Sequence, residues 1–228
     1  METVVISIGG SILVPDQDDN TYIKELASML NELSESFRIF VVVGGGRIAR
    51  YYIKLARSLG ADESYLDDVG IEVTRLNARM LICALGDSAY HLPAKTFDEA
   101  LSASKGHKIV VMGGTHPGHT TDAVSAMLGE RAGASRLVNA TSVDGVYTED
   151  PKKNPDAKHL AALSYNELLD ICLKVKGGAG PNVVFDPLGP KLARRLERHG
   201  RVVHGRQLEE LRKAIEGKDF HGTIIRGD

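Results

Sequence analysis

Short runs of apolar, β-branched residues alternate along the chain with longer segments of helical spacing. Three of these runs stop at a glycine cluster: residues 4–8 before Gly9 and Gly10, residues 40–43 before 44–46, and residues 109–112 before Gly113 and Gly114. Continuous apolar runs of this length are typical of parallel strands buried on both faces. Glycine at the carboxyl end lets main-chain amides approach an anion closely. The pattern predicts three strand ends that share a phosphate-handling crevice.

The remaining segments extend this alternation to the end of the chain. Helices are predicted over residues 21–36, 47–59, 69–85, 98–104, 121–132, 164–174, 188–199 and 207–216, and further strands over 38–43, 107–112, 135–140, 201–204 and 222–226. Such alternation indicates a mostly parallel sheet between helices, with ligands at the carboxyl ends of its strands. Because no linker interrupts the chain, we expect a single domain with at most two soft lobes, 1–135 and 136–228.

Composition narrows the classes of partner. The chain has 228 residues, 43% hydrophobic and 25% charged, with a formal net charge of −2. It therefore has no overall basic field, and neither nucleic acid nor an anionic membrane is favoured as a partner. The first apolar run is short and has no basic stretch before it, so we expect no signal peptide and a cytoplasmic protein. Cys83 and Cys172 each lie in an apolar helical pattern and are predicted to be buried free thiols.

Several well-known motifs are absent from the sequence. It has no G-x-x-x-x-G-K-[ST], no H-E-x-x-H, no G-x-S-x-G and no paired C-x-x-C. P-loop, metallohydrolase and serine hydrolase functions are therefore disfavoured.

The second glycine cluster opens a helix that carries two arginines. Arg47 and Arg50 lie one turn apart just after Gly44 to Gly46. A helix amino terminus with free amides and added positive charge suits a phosphate. A tight turn with solvated arginines is the alternative for this segment taken alone.

The third glycine cluster leads into a segment rich in polar groups. Residues 113–122 offer main-chain amides, the hydroxyls of Thr115, Thr120 and Thr121, and the imidazoles of His116 and His119. Hydroxyls at a helix start fit a bound phosphate or ribose. Taken alone, Pro117 and Gly118 could form a plain turn.

Two carboxylates are further candidates. Asp144 follows a predicted strand and precedes Gly145, where it could form a turn, hold Mg²⁺ or orient cations around a phosphoryl group. Asp67 and Asp68 precede a predicted helix, which they could cap. The sequence pattern leaves these alternatives open.

Residues 8–11, 43–46 and 141–151 resemble the amino acid kinase family, and the resemblance runs from about residue 3 to the C-terminus. Within it, the pattern Asp67-x-x-Gly70-Ile71-x-x-Thr74-x-x-Asn77 and the segment 113–123 resemble the archaeal form of the branch that phosphorylates UMP. The resemblance implies a three-layer α/β/α sandwich and transfer of the γ-phosphoryl of ATP to UMP in pyrimidine nucleotide synthesis. It also implies Mg²⁺ bound with ATP rather than by direct protein ligation, and a homohexamer.

The resemblance also assigns residues to the two substrates. ATP would be bound by Gly9, Gly10, Ser11, Gly45, Arg50, Thr141, Tyr147 and Asp150. Of these, Gly9, Gly10, Gly45 and Arg50 would surround the phosphates, and the last three would hold the adenosine part. UMP would be bound by Gly44, Asp67, Gly114, Thr115, His116, Pro117, Gly118, His119 and Thr120. The lobe 1–135 would then bind the acceptor, and the lobe 136–228 would bind ATP.

The sequence departs from the family pattern at Ser7, where most members carry a lysine, and at Ser142, where bacterial uridylate-phosphorylating members carry one. Archaeal members are similar in lacking the first lysine. We expect Mg²⁺ with Arg47 and Arg50 to neutralise the migrating phosphoryl, with Asp144 orienting this catalytic cluster. The alternatives are an isopentenyl phosphate kinase of the same fold and a nucleotide-binding protein without catalysis.

Overall fold

A computed structural model describes residues 1–14, 20–149, 151, 154–176, 189, 191 and 199–227. The strands in this part of the chain are β1 (Glu2–Ile8), β2 (Phe37–Val43), β3 (Ile109–Met112), β4 (Arg136–Thr141), β5 (Val146–Tyr147), β6 (His159–Leu160), β7 (Ala162–Ser164), β8 (Gly200–His204) and β9 (Thr223–Arg226). Seven of them form one sheet in the order β3-β2-β1-β4-β8-β9-β7, while β5 and β6 pair separately.

The register brings the three glycine clusters to the same edge of the sheet. Ile8 lies opposite Val43 and Ala140, and Val42 lies opposite Met112, all in parallel pairs. Only the β8–β9 pair is antiparallel within this sheet as described. The mostly parallel sheet predicted from the sequence is therefore confirmed.

Helices cover both faces of the sheet. They are α1 (Gly10–Leu13), α2 (Thr21–Leu33), α3 (Gly46–Ser58), α4 (Glu63–Leu85), α5 (Phe97–Ala103), α6 (Thr121–Ala132), α7 (Tyr165–Lys176) and α8 (Leu208–Glu216). Alternate strand residues face opposite ways, so Ile6 packs with α2, α4 and α8, and Val5 packs with α5 and α6. The three-layer α/β/α sandwich is confirmed. Among the described helices, none is both long and apolar enough to cross a membrane.

Helix α4 begins six residues before its predicted start. Asp62 caps it, because its carboxylate accepts a hydrogen bond from the Tyr65 main-chain nitrogen at 2.8 Å. Asp67 and Asp68 therefore lie inside the helix, and the capping alternative for them was wrong. The predicted helix over 188–199 falls almost wholly outside the described residues.

The hairpin of α3 and α4 leaves apolar side chains exposed. Ala49 is the buried residue of α3, whereas Tyr52, Leu55 and Leu59 are exposed, Leu59 to 80%. In α4, Leu76, Met80 and Cys83 are exposed as well. The prediction of two buried thiols was therefore wrong for Cys83 and is confirmed for Cys172. The reason is that α7 presents Cys172 to the core, whereas α4 leaves Cys83 on its exposed side.

Candidate active site

The first two glycine loops lie against each other main chain to main chain. A Cβ atom on Gly10 would clash with the Gly44 carbonyl oxygen and the Gly46 nitrogen. Gly46 has φ +62°, a left-handed conformation that favours glycine, and a Cβ there would clash with the Ser11 nitrogen. The Gly44 nitrogen donates to the Ile8 carbonyl at 2.9 Å. Glycine is thus required where the two loops cross, because there is no room for a Cβ atom and because Gly46 has a left-handed conformation.

Arg50 links these loops to the first turn of α3. Its guanidinium donates to the Ser11 hydroxyl at 3.4 Å. The Gly9 nitrogen donates to the Ala140 carbonyl at 3.1 Å, which joins the same loop to the end of β4. Arg47 and Arg50 are both exposed near the amino terminus of α3. Positive charge therefore collects where the residues predicted for the ATP phosphates lie.

A cavity of about 260 Å³ opens on the other side of the second glycine loop. It is lined by Gly45, Gly46, Ala49, Ile53, Asp67, Gly70, Ile71, Thr74, Gly114, His116, His119, Thr120 and Thr121. Five of the residues predicted for the acceptor are among them: Asp67, Gly114, His116, His119 and Thr120. Polar groups from three separated segments converge here, which is the usual character of a small-molecule site.

Helix α4 holds the loops of this cavity through three side chains. The Asp67 carboxylate accepts from the Gly118 nitrogen at 2.7 Å, and the Thr74 hydroxyl accepts from the Gly114 nitrogen at 2.7 Å. Asn77 donates its amide to the Gly44 carbonyl at 2.9 Å and the Gly45 carbonyl at 3.2 Å. Sequence reasoning assigned no role to Thr74 or Asn77, although spacings of seven and ten residues from Asp67 placed all three on one helix face.

The amino terminus of α6 closes the cavity. The Thr120 hydroxyl accepts from the Ala123 nitrogen at 3.3 Å and caps the helix. The rings of His116 and His119 lie edge to face with centroids 6.2 Å apart. The Thr115 hydroxyl is buried and has no hydrogen-bond partner in the described part of the chain. This end of α6 presents amides and imidazoles to the cavity, which suits an anionic group.

The residues predicted for adenosine lie at the end of β4 and just beyond it. The Thr141 hydroxyl accepts from the Val143 nitrogen at 3.0 Å, and the Tyr147 hydroxyl donates to Asp144 Oδ1 at 2.7 Å. Burial raises the pKa of Asp144, but hydrogen bonds from Tyr147 and His221 outweigh it and hold that pKa below its ordinary value. Asp150 lies outside the described residues. The role predicted for Asp144 toward Arg47 and Arg50 stays a prediction, since its described partners are Tyr147 and His221.

The family model described as the amino acid kinase family matches residues 2–203. The chain belongs to the amino acid kinase family. It is 47% identical over 225 residues to a uridylate kinase of Methanospirillum hungatei, covering 99% of this chain and 95% of the relative. It is 49% identical over 228 residues to a uridylate kinase of Methanoculleus marisnigri, covering 99% and 96%.

A solved structure shows the same likeness to uridylate kinases. The crystal structure of uridylate kinase from Archaeoglobus fulgidus superposes with a TM-score of 0.88 at 44% sequence identity, covering 99% of this chain and all of that one. The resemblance stated from the sequence motifs is confirmed.

Ser7, which stands where most members of the family carry a lysine, is part of a small polar network. Its hydroxyl donates to Asp122 Oδ1 at 3.1 Å, and the Asn139 amide donates to the same oxygen at 3.2 Å. Asp122 lies in the first turn of α6, so this network connects β1 and β4 to the helix that closes the cavity of about 260 Å³. Sequence reasoning missed Asn139, because only the parallel pairing of β1 with β4 brings it opposite Ser7.

Proposed function

We propose that the protein transfers the γ-phosphoryl group of ATP to UMP, giving UDP and ADP. The observation that carries this proposal is that the acceptor cavity and the loop predicted for the ATP phosphates share one wall, the second glycine loop. Gly45 and Gly46 line the acceptor cavity, while Gly46 also lies against Gly10 of the loop predicted for the ATP phosphates. Two substrates bound on either side of this wall would meet end to end. The relatives named uridylate kinase support UMP as the acceptor.

In this proposal the acceptor is held by residues of one cavity. The UMP phosphate lies at the amino terminus of α6, with the third glycine loop and the two imidazoles around it. Asp67 accepts a hydrogen bond from the ribose as well as from Gly118, since an ionised carboxylate has about four lone-pair sites. The hydrogen bonds from α4 keep these loops in place before UMP arrives.

The transfer step requires little covalent catalysis by the protein. A UMP phosphate oxygen forms the new bond to the γ-phosphorus, the bond from that phosphorus to the bridging oxygen breaks, and ADP leaves. A phosphate monoester has its second pKa near about 6, so the attacking oxygen is mostly deprotonated at neutral pH and no general base is required. Arg47, Arg50 and the glycine-loop amides stabilise the charge spread over the migrating group.

We assign Mg²⁺ to the nucleotide rather than to a protein site. In the part of the chain that the structure describes, no group of three or more His, Cys, Asp or Glu side chains is placed to hold a metal ion. Mg²⁺ commonly binds through substrate phosphates while keeping several waters, which suits such a site. Bound with ATP, the ion would supply positive charge that offsets the negative charge of the phosphates.

A coupled assay of ADP formation tests the reaction. The protein is mixed with ATP–Mg²⁺ and, in separate arms, UMP, dUMP, CMP or isopentenyl phosphate. Turnover with UMP is the expected result. Turnover with isopentenyl phosphate alone would replace the proposal with the isopentenyl phosphate kinase, and nucleotide binding without turnover of any acceptor would leave a non-catalytic nucleotide-binding protein, consistent with Ser7 in place of lysine.

We further propose that the protein acts in the cytoplasm as a homohexamer whose copies meet through the α3–α4 face. The apolar side chains that both helices expose support such contacts, because large apolar patches on a surface commonly mark interfaces. Light scattering coupled to size exclusion would give the mass, expected at six chains. The mass of a single chain would contradict the proposed hexamer but would not bear on the proposed reaction.

A further inference from the structure

The reversal of β9 brings a distant part of the chain to the ligand edge of the sheet. β9 runs antiparallel to β8, with Thr223 opposite Val202, so the residues just before β9 lie at the carboxyl edge of the parallel strands. β7 is parallel to β9, so β6, which comes just before it, reaches the same edge. His221 and His159 are thereby placed beside the segment 141–147 predicted for adenosine.

His221 is held in place by three independent contacts. Its ring Nε2 atom lies 3.1 Å from Asp144 Oδ2, and its main-chain nitrogen donates to Glu210 Oε2 at 2.5 Å. Its ring stacks on that of His159, with centroids 5.6 Å apart and planes inclined by 12°. The side chain is nevertheless 62% exposed. An exposed side chain normally keeps its rotamer freedom, so two restraints on the ring, with a third on the main chain, point to a role beyond packing.

The rings of Tyr147, His159 and His221 form a continuous row next to Asp144. Tyr147 meets His159 edge to face with centroids 5.3 Å apart, and the His159 ring also stacks with that of His221. A Cβ atom on Gly145 would clash with the His159 ring, so the row is packed directly against the main chain of the segment 144–147. His159 Nε2 is buried without a hydrogen-bond partner among the described residues, which makes this ring a stacking surface.

Asp144 is thus fixed through both of its oxygens. Oδ1 accepts from Tyr147 and Oδ2 faces His221, so the carboxylate cannot rotate without breaking one of these contacts. We propose that His221 is a positioning residue of the donor-nucleotide subsite, which orients Tyr147 through Asp144 and so strengthens binding of ATP. This inference rests on the proposed function, because ATP is the donor of the proposed reaction and the family resemblance assigns Tyr147 to ATP.

Steady-state kinetics with two variants tests the proposal. His221→Ala removes the contact to Asp144, and we expect the KM for ATP to rise about three- to tenfold, the effect of losing one hydrogen bond of ordinary net strength. The kcat and the KM for UMP should change by less than about twofold, since the acceptor cavity shares no described contact with His221. His221→Gln can place an amide nitrogen near the position of Nε2 and should recover most of the ATP affinity. His91→Ala, at another exposed histidine, is the matched control.

Binding of Mg²⁺–ADP by calorimetry gives a readout that does not depend on turnover. The dissociation constant should rise in His221→Ala by the same factor as the KM for ATP. In a Tyr147→Phe background the same change should have a much smaller effect, because His221 acts through Asp144 and Tyr147.

The outcomes separate this inference from the proposed function. Unchanged ATP and ADP binding in His221→Ala, or an equal rise of both KM values, would overturn the positioning role. Failure of His221→Gln to recover affinity would also overturn it. A wild-type protein that binds Mg²⁺–ADP but does not phosphorylate UMP would refute the proposed reaction, while the calorimetric comparison would still decide the role of His221.

Discussion

Arg50 lies between the first glycine loop and the amino terminus of α3, where its guanidinium contacts Ser11. Replacing it by alanine removes a positive charge next to the position proposed for the transferred phosphoryl, and we expect kcat to fall about 100-fold or more. The loss should appear in kcat rather than in the stability, because the side chain is exposed.

Arg57 provides the matched control on the same helix. Its guanidinium pairs with Glu63, the first residue of α4, and the pair is exposed. Arg57→Ala should leave turnover within about twofold of the wild type, since exposed ion pairs contribute little. Near-normal turnover in Arg50→Ala would remove the proposed role of that arginine. The coupled assay at saturating ATP and UMP measures both variants.

At single positions, the sequence shows which element a side chain belongs to, but it does not show which distant residues the side chain contacts. Asp144 was placed at a strand end from the sequence alone, yet its partner His221 lies 77 residues further on and no local pattern connects the two. Cys83 was assigned to the core because its helix is apolar. That inference failed because apolarity does not say which side of a helix another element covers.

The crossing of the first two glycine loops provides a test at the level of elements. A methyl group on Gly10 would meet main-chain atoms of the second loop, which cannot move without shifting β2 or α3. Gly10→Ala should therefore lower the free energy of unfolding by about 3 kcal/mol and abolish turnover. Urea denaturation measures the first effect and the coupled assay the second.

Gly106→Ala is the control for this change. A Cβ atom on Gly106 would have no neighbour within 4 Å, so we expect the free energy of unfolding to change by less than about 0.5 kcal/mol. Equal effects of the two substitutions would mean that the glycine crossing is not tightly packed.

The main strands and helices were predictable because their periodicity is strong, and α6 was predicted with the bounds it has. The direction of β9 was not, since a buried strand of four residues has the same pattern whether it runs parallel or antiparallel to its neighbour. The short strands β5, β6 and β7 were missed for a related reason, because two or three residues do not establish a period.

The proposed assembly gives a test at the level of the whole molecule. Leu76, Met80 and Cys83 share one face of α4, so copies that meet there should shield the Cys83 thiol. We expect Cys83 to react with a thiol reagent at least about tenfold more slowly in the native protein than in a Leu59→Glu variant that cannot assemble.

Cys172 serves as the internal reference for this experiment. Its thiol is buried within each copy and should stay unreacted in both proteins. Equal and fast labelling of Cys83 in the two proteins would place the contact between copies on another face.

The final strand of the chain is an interior strand of the sheet, and β7 is joined to the sheet only through it among the described pairs. During synthesis, every residue that lines the acceptor cavity leaves the ribosome about one hundred residues before β9 does, at a pace of about 5–20 residues per second. His221, two residues before β9, is therefore among the last residues to take its place at this edge of the sheet. A nascent chain can therefore expose all the lining residues of this cavity several seconds before His221 arrives beside Asp144.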